Sequence, residues 1–144
     1  MKKILAAVDF SDLATLVIDY ASIQAKTFGS EVLVVHVEPP VPAFIGNEIS
    51  PPILAEHREE EVERIKNDLS AMVHYAQERG VPAKYEFLEG SIVDTIVEKA
   101  EEFNADLIVM GAHNHGFLYR AFIGSISSGV MKISKCPVLI IPEN

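Results

Sequence analysis

Short runs of consecutive apolar residues alternate along this chain with longer segments in which apolar positions recur every three or four residues. The first run, Ile4 to Val8, ends at Asp9 and reads as a buried strand. Ser11 then stands where a helix cap belongs. Leu13, Leu16, Val17, Tyr20 and Ala21 form one helical stripe, which Gly29 ends. Val32 to Val37 is a second apolar run, interrupted by His36 alone. The stretch from Pro39 to Pro52 is proline-rich, holds Gly46 and Asn47, and is longer than a usual connection. It reads as a loop or a lid.

A long helix follows, with Val62, Ile65, Leu69, Met72, Val73 and Ala76 on one face. Glu59, Glu60, Glu61, Glu63 and Lys66 fall on the other, so the acidic run is a solvated helix face rather than a metal site. Gly80-Val81-Pro82 ends it, and Tyr85 to Leu88 is the third strand. Ser91 and Asp94 have capping-box spacing ahead of the stripe Ile92, Ile96, Val97 and Ala100. Leu107 to Met110, a helix from Ser125 to about Ile133, and Val138 to Ile141 complete the series.

The order is β-α-β-α-β-α-β-α-β. Strands apolar throughout are covered on both faces, and helices between them are the crossovers that a parallel sheet requires. The class is therefore α/β, a doubly wound sheet with helices on both faces. Ligands of such sheets sit at the carboxyl ends of the strands. That singles out Asp9-Phe10, Val37-Glu38, Glu89-Gly90 and Met110-Gly111.

Composition narrows the picture. A length of 144 residues suits one domain, 1–144, with a real core. The apolar run after Met1-Lys2-Lys3 is too short for a signal peptide, and no segment is long enough to span a bilayer. Cys136 is the lone cysteine, read as a small buried residue. It permits no intramolecular disulfide or cysteine metal cluster, and a reducing cytoplasm fits. A sequence pI near 4.9 speaks against general binding of nucleic acid. His113 and His115 lack an evident third ligand, so no metal is expected on them. No nucleophile with an adjacent base can be assembled, so catalysis is not expected.

Charge is unevenly spread. The chain carries 21 acidic residues and a net charge of -9, yet Leu107 to Pro142 contains no Asp or Glu. With Arg120, Lys132 and Lys135 that segment stands at +3. Within it a strand leads through a Gly-bearing loop to Gly124-Ser125 at a helix start, where free N–H groups and the helix dipole favour an anion. The same depletion would follow if a buried strand and helix merely exclude acids.

The loop Gly111 to Ser125 is neither a Walker loop nor a Gly-x-Gly-x-x-Gly turn. Over its whole length the chain resembles the universal stress protein family. The resemblance rests on "ADLIVMGAH", "FIGSI" and "KCPVLIIP" in the last third, with Ala7-Val8-Asp9, His36-Val37 and Glu89-Gly90-Ser91 in order before them. The nucleotide-binding branch of that family has Gly, two residues, Gly, nine residues, Gly, then Ser or Thr. Gly111, Gly124 and Ser125 match; the middle position holds Asn114. Asn is the residue other than Gly that best tolerates positive φ, but its side chain takes up space beside the ligand.

The resemblance implies five parallel strands in the order 3-2-1-4-5 and a ligand that is ATP, with or without Mg, or a related adenine nucleotide. Asp9 and Val37 would flank adenine and ribose, Gly111 would let the chain pass the ribose, and Gly124, Ser125 and Ser127 would hold the phosphates. Met110, His113, Asn114 and Ile126 complete the expected set. It also implies a cytoplasmic stress-response protein, not an enzyme, dimerised through the strand Val138 to Ile141, which that order puts at a sheet edge. Two alternatives stand beside this reading: an interaction protein free of nucleotide, its pocket closed by Asn114, and a slow ATPase.

Overall fold

A computed structural model describes residues 1–40, 51–112 and 124–143. Among these, β1 (Lys3–Ala7), α1 (Leu13–Phe28), β2 (Glu31–Glu38), α2 (Pro51–Glu78) and β3 (Ala83–Glu89) form the first part of the chain. Then come α3 (Ile92–Phe103), β4 (Leu107–Gly111), α4 (Ser125–Ile133) and β5 (Val138–Ile141). The strands make one parallel sheet in the order β3-β2-β1-β4-β5, as the family resemblance implied.

Side chains alternate along each strand, so the sheet has two apolar faces and needs two layers of helix. On one face Ile4, Ala6, Val32, Val34 and Val109 are covered by Val17, Ile18 and Ala21 of α1 and by Ile65, Leu69, Val73 and Ala76 of α2. On the other, Leu5, Leu33, Val35, Ile108 and Met110 lie under Ile96, Val97, Ala100 and Phe103 of α3 and Val130 of α4. β1 lies in the middle, between β2 and β4. Strand order reverses there, and the reversal parts the crossovers to either side, leaving a crevice at the strand ends.

The structure corrects several local expectations. Tyr20 is 45% exposed, and Ile18 takes its place in the buried stripe of α1. The helix α2 begins at Pro51, so Pro51 and Pro52 belong to a first turn rather than to the loop. Residues 41–50 of that expected loop lie outside the described residues. Ser91 occupies the N-cap position of α3, but its hydroxyl makes no capping bond. For α1 the N-cap is Asp12, while the Ser11 hydroxyl accepts the Leu13 N–H at 3.3 Å. Gly29 ends α1 as expected, with φ 67° and its N–H bonded to the Ala25 carbonyl. Cys136 is half-buried, its sulfur 3.6 Å from the Ser134 hydroxyl oxygen.

A polar clasp joins the lower ends of β1 and β4. The Asp106 carboxylate accepts the backbone N–H groups of Lys2 at 2.7 Å and Lys3 at 3.0 Å. These bonds favour the charged form and hold the carboxyl below its ordinary value. A depressed folded-state value gives stability that is present above the unfolded value and lost as pH falls through the folded one. Asp106→Asn should therefore be less stable than the native chain at neutral pH. The difference should shrink on acidification, which urea unfolding at pH 7 and at about pH 3 would register.

Candidate functional site

The carboxyl ends of β1, β2 and β4 surround a cavity of about 310 Å³, at the small end of ligand-pocket sizes. Six of the residues expected from the sequence line it: Asp9, Val37, Glu38, Met110, Gly111 and Ile126. Each has a structural reason to be there. Asp9 follows the buried Val8, whose N–H bonds the Val35 carbonyl at 2.9 Å, so the chain leaves the sheet at that carboxylate. Its Oδ1 accepts the Ser11 N–H at 3.0 Å, which turns the chain toward α1. Gly111 ends β4 against α1: a Cβ there would lie 3.0 Å from Leu13 Cδ1 and 3.3 Å from its Cβ. Glycine at this position lets the helix seat closely on the strand end, a packing role independent of any ligand.

Gly124, in extended conformation, is the N-cap of α4, and Ser125 is its first residue. Their neighbour Ile126 reaches the cavity wall. Ser127 is buried, and its hydroxyl donates to the Gly124 carbonyl at 3.0 Å, so the hydrogen expected to face a phosphate is already engaged within the turn. His113 and Asn114 lie outside the described residues.

The remaining wall was not foreseen as such. Leu13, Ala14 and Val17 of α1 and Ile92 and Ile96 of α3 close it from opposite faces of the sheet, with His36 between. His36 was read as a hydrogen-bonded core residue, and so it is: it is 6% exposed. Its Nδ1 lies 2.7 Å from the Val8 carbonyl oxygen and its Nε2 2.7 Å from Glu38 Oε1. The ring thereby ties the end of β1 to the end of β2 on either side of Val37. Phe10 covers it, ring centroids 4.4 Å apart, from a backbone at φ 63°. A non-glycine residue in that region stores strain of about 1–3 kcal/mol, which the packed ring offsets. Among the described residues no group of three or more His, Cys, Asp or Glu is placed to hold a metal ion. Nor is any described helix long and apolar enough to cross a membrane.

A parallel doubly wound α/β sheet with an apolar crevice at its switch point, rimmed by carboxylates and a helix start, defines the class to which this protein belongs. The family model described as "Universal stress protein family" matches residues 1–142. The chain belongs to that family, as the sequence resemblance indicated. Universal stress protein MJ0531 of Methanocaldococcus jannaschii is 35% identical over 148 residues, covering 99% of this chain and 82% of the relative. The solved structure of MJ0577, from the same organism, superposes with a TM-score of 0.81 at 27% identity, covering 99% of this chain and 96% of the other. The universal stress protein from Archaeoglobus fulgidus, solved in complex with dAMP, gives 0.71 at 27% identity and covers 98% of both chains.

Proposed function

We propose that the cavity binds an adenine nucleotide, ATP or a relative, and that the protein acts in stress response through that binding. The observation that carries this is the convergence of Asp9, Val37, Met110, Gly111 and Ile126, from separate parts of the sequence, on one cavity. Its apolar walls suit a flat base, the backbone of Val37 offers hydrogen-bonding groups at the strand end, and the start of α4 lies where phosphates would point. The dAMP complex of the Archaeoglobus fulgidus relative supports the same reading. Any Mg would arrive with the phosphates, since the described residues present no carboxylate cluster to hold it.

Calorimetry of the native chain with ATP, ADP and AMP tests the proposal, with Asn114→Gly alongside. Binding by the native chain is expected. Binding by the glycine form alone would assign closure of the pocket to Asn114, and binding by neither would favour an interaction protein free of nucleotide. Turnover abolished by Ser125→Ala at unchanged affinity would instead favour a slow ATPase.

The reading extends to a cytoplasmic homodimer. β5 pairs with β4 on one side, and Val138, Leu139 and Ile140 are each only half-buried. α4 packs against β5 and leaves Met131 and Ile133 exposed, 42% and 47%. An apolar edge strand of this kind is satisfied by the same strand of a second copy about a twofold axis. Pro137 and Pro142 set the length of the pairing. Light scattering should give twice 15.8 kDa, and Leu139→Lys should shift the protein toward monomer. A native chain that is monomeric at micromolar concentration would refute the dimer.

A further inference from the structure

We infer that the outer face of α1 is an interface between two copies of this chain, distinct from the β5 edge, with the two helices antiparallel about a twofold axis. The buried stripe of α1 runs from Leu13 through Val17 and Ala21 to Ala25. A second stripe, Leu16, Tyr20, Ile23 and Thr27, follows intervals of four, three and four residues. At ~100° per residue these four fall within an arc of about 60°, on the side turned away from the sheet.

The stripe is apolar and open. Tyr20 and Ile23 are 45% and 56% exposed, while Leu16 is half-buried, packed on the core beneath. Thr27 is exposed, but its hydroxyl donates back to the Ile23 carbonyl at 2.8 Å, so its polar hydrogen is already engaged within the helix. The spacing is that of a seam between two helices. By contrast, the face that α2 leaves in water carries Glu59, Glu60, Glu63 and Lys66.

Charge identifies the occupant as a second copy. Asp19 and Lys26 flank the seam on the same side, each one residue ahead of a seam position. A twofold axis that lays α1 antiparallel on itself sets this flank against the same flank running the other way. In the register that places Tyr20 on the Ile23 of a second copy, Leu16 meets Thr27 and Asp19 comes opposite Lys26, twice over by symmetry. Opposite charges at such flanking positions fix partner and orientation. A parallel pairing would instead set this flank against the other side of the seam, where Val17 and Gln24 stand, and neither ion pair would form. Lys26 is exposed, and Asp19 is already oriented by the Tyr75 hydroxyl that it accepts.

The seam is short, and by itself it buries too little for a tight dimer. The β5 pairing proposed above would multiply it. Antiparallel strands of one sheet are related by a twofold axis perpendicular to that sheet, which leaves both α1 helices on the same face. A β5 dimer therefore offers two seams, and four chains closed by both gain from the raised effective concentration. The four-chain assembly rests on the β5 reading; the seam itself does not.

Light scattering and sedimentation of the full chain, from micromolar to near-millimolar concentration, test the seam. The native mass should rise above twice 15.8 kDa toward four times that value. Ile23→Lys, at an exposed position, should hold it at two chains with stability to urea unchanged. Lys26→Glu turns each opposite pair into a like pair and should weaken the larger assembly about tenfold. In chains that also carry Cys136→Ser, an equimolar mixture of Tyr20→Cys and Ile23→Cys should cross-link on oxidation faster than either alone. Ile23→Cys alone cross-linking as fast as the mixture would overturn the antiparallel seam. An assembly indifferent to both Ile23→Lys and Lys26→Glu would overturn the interface, as would a dimer lost with Leu139→Lys but kept with Ile23→Lys, which leaves the β5 reading standing. A dimer lost with Ile23→Lys but kept with Leu139→Lys would uphold the seam and remove the β5 reading. A monomer at every concentration would remove both.

Discussion

Leu69→Ala is expected to lower the unfolding free energy by about 3–4 kcal/mol, a large share of the stability of a protein this size. Leu69 is fully buried, at the centre of the seam where Ile65, Val73 and Ala76 seat α2 on the sheet. Among the described side chains of this 28-residue helix, the stripe Ile65, Leu69, Val73 and Ala76 is the buried one and seats it on the sheet. Truncation removes three carbons from a position enclosed on all sides, and neighbours held in a strand face can relax only partly into the void. Met72→Ala, at a half-buried position on the same helix, should cost about 1 kcal/mol, less than half as much. Urea unfolding checks both. A loss of under about 1.5 kcal/mol for Leu69→Ala would mean that α2 collapses onto the sheet without its central contact.

The second large effect is expected at the cavity wall. His36→Ala should cost about 3 kcal/mol, from lost ring packing, one buried hydrogen bond and one part-buried one. The Val8 carbonyl and the Glu38 carboxylate would each lose a partner at 2.7 Å, and Phe10 the ring beneath its own. Removing a partner from a buried acceptor is more costly than replacing both partners together. Glu38→Gln should therefore be mild, below about 1 kcal/mol, because the amide oxygen still accepts. The ratio of the two losses in urea separates the bond from the charge. Equal losses would mean that ionisation of the pair, rather than the hydrogen-bonded bridge, holds the strand ends.

Much of the fold was legible because the inner strands are short apolar runs, Ile4 to Ala7, Val32 to Val37 with His36 alone breaking it, and Leu107 to Met110, whose length and spacing between helical stripes suit a doubly covered sheet. β3 was less legible at its ends. It lies at a sheet edge, and Ala83, Lys84 and Glu89, which alternate with or flank its apolar residues, look like loop in one dimension. Tyr20 misled because its spacing fits the stripe of α1 while its position on the helix turns it outward. At the site, the strand-end residues were readable from the rule that ligands sit there, and Asp9, Val37 and Gly111 followed from it. Leu13, Ile92 and Ile96 were not, since their place in the wall depends on how two helices lean over the sheet from opposite faces. Likewise the reading of His36 as a bonded core residue held, but its partner Val8 is set by the register of β1 on β2.

The central position of β1 also governs the order in which the sheet can assemble. As the chain emerges during synthesis, β1, β2 and β3 can pair among themselves, since each neighbours the next in the sheet. The other edge of β1 is matched to Leu107–Met110, which appears only after most of the chain has been translated. Until then Ile4, Leu5, Ala6 and Ala7 present an open and wholly apolar strand edge, the kind of surface that chaperones recognise and that seeds aggregation. Closing so long a loop places the β1–β4 pairing late on the folding route. Substitutions that weaken β4 should therefore lower the yield of soluble protein in the cell more than their effect on equilibrium stability would suggest.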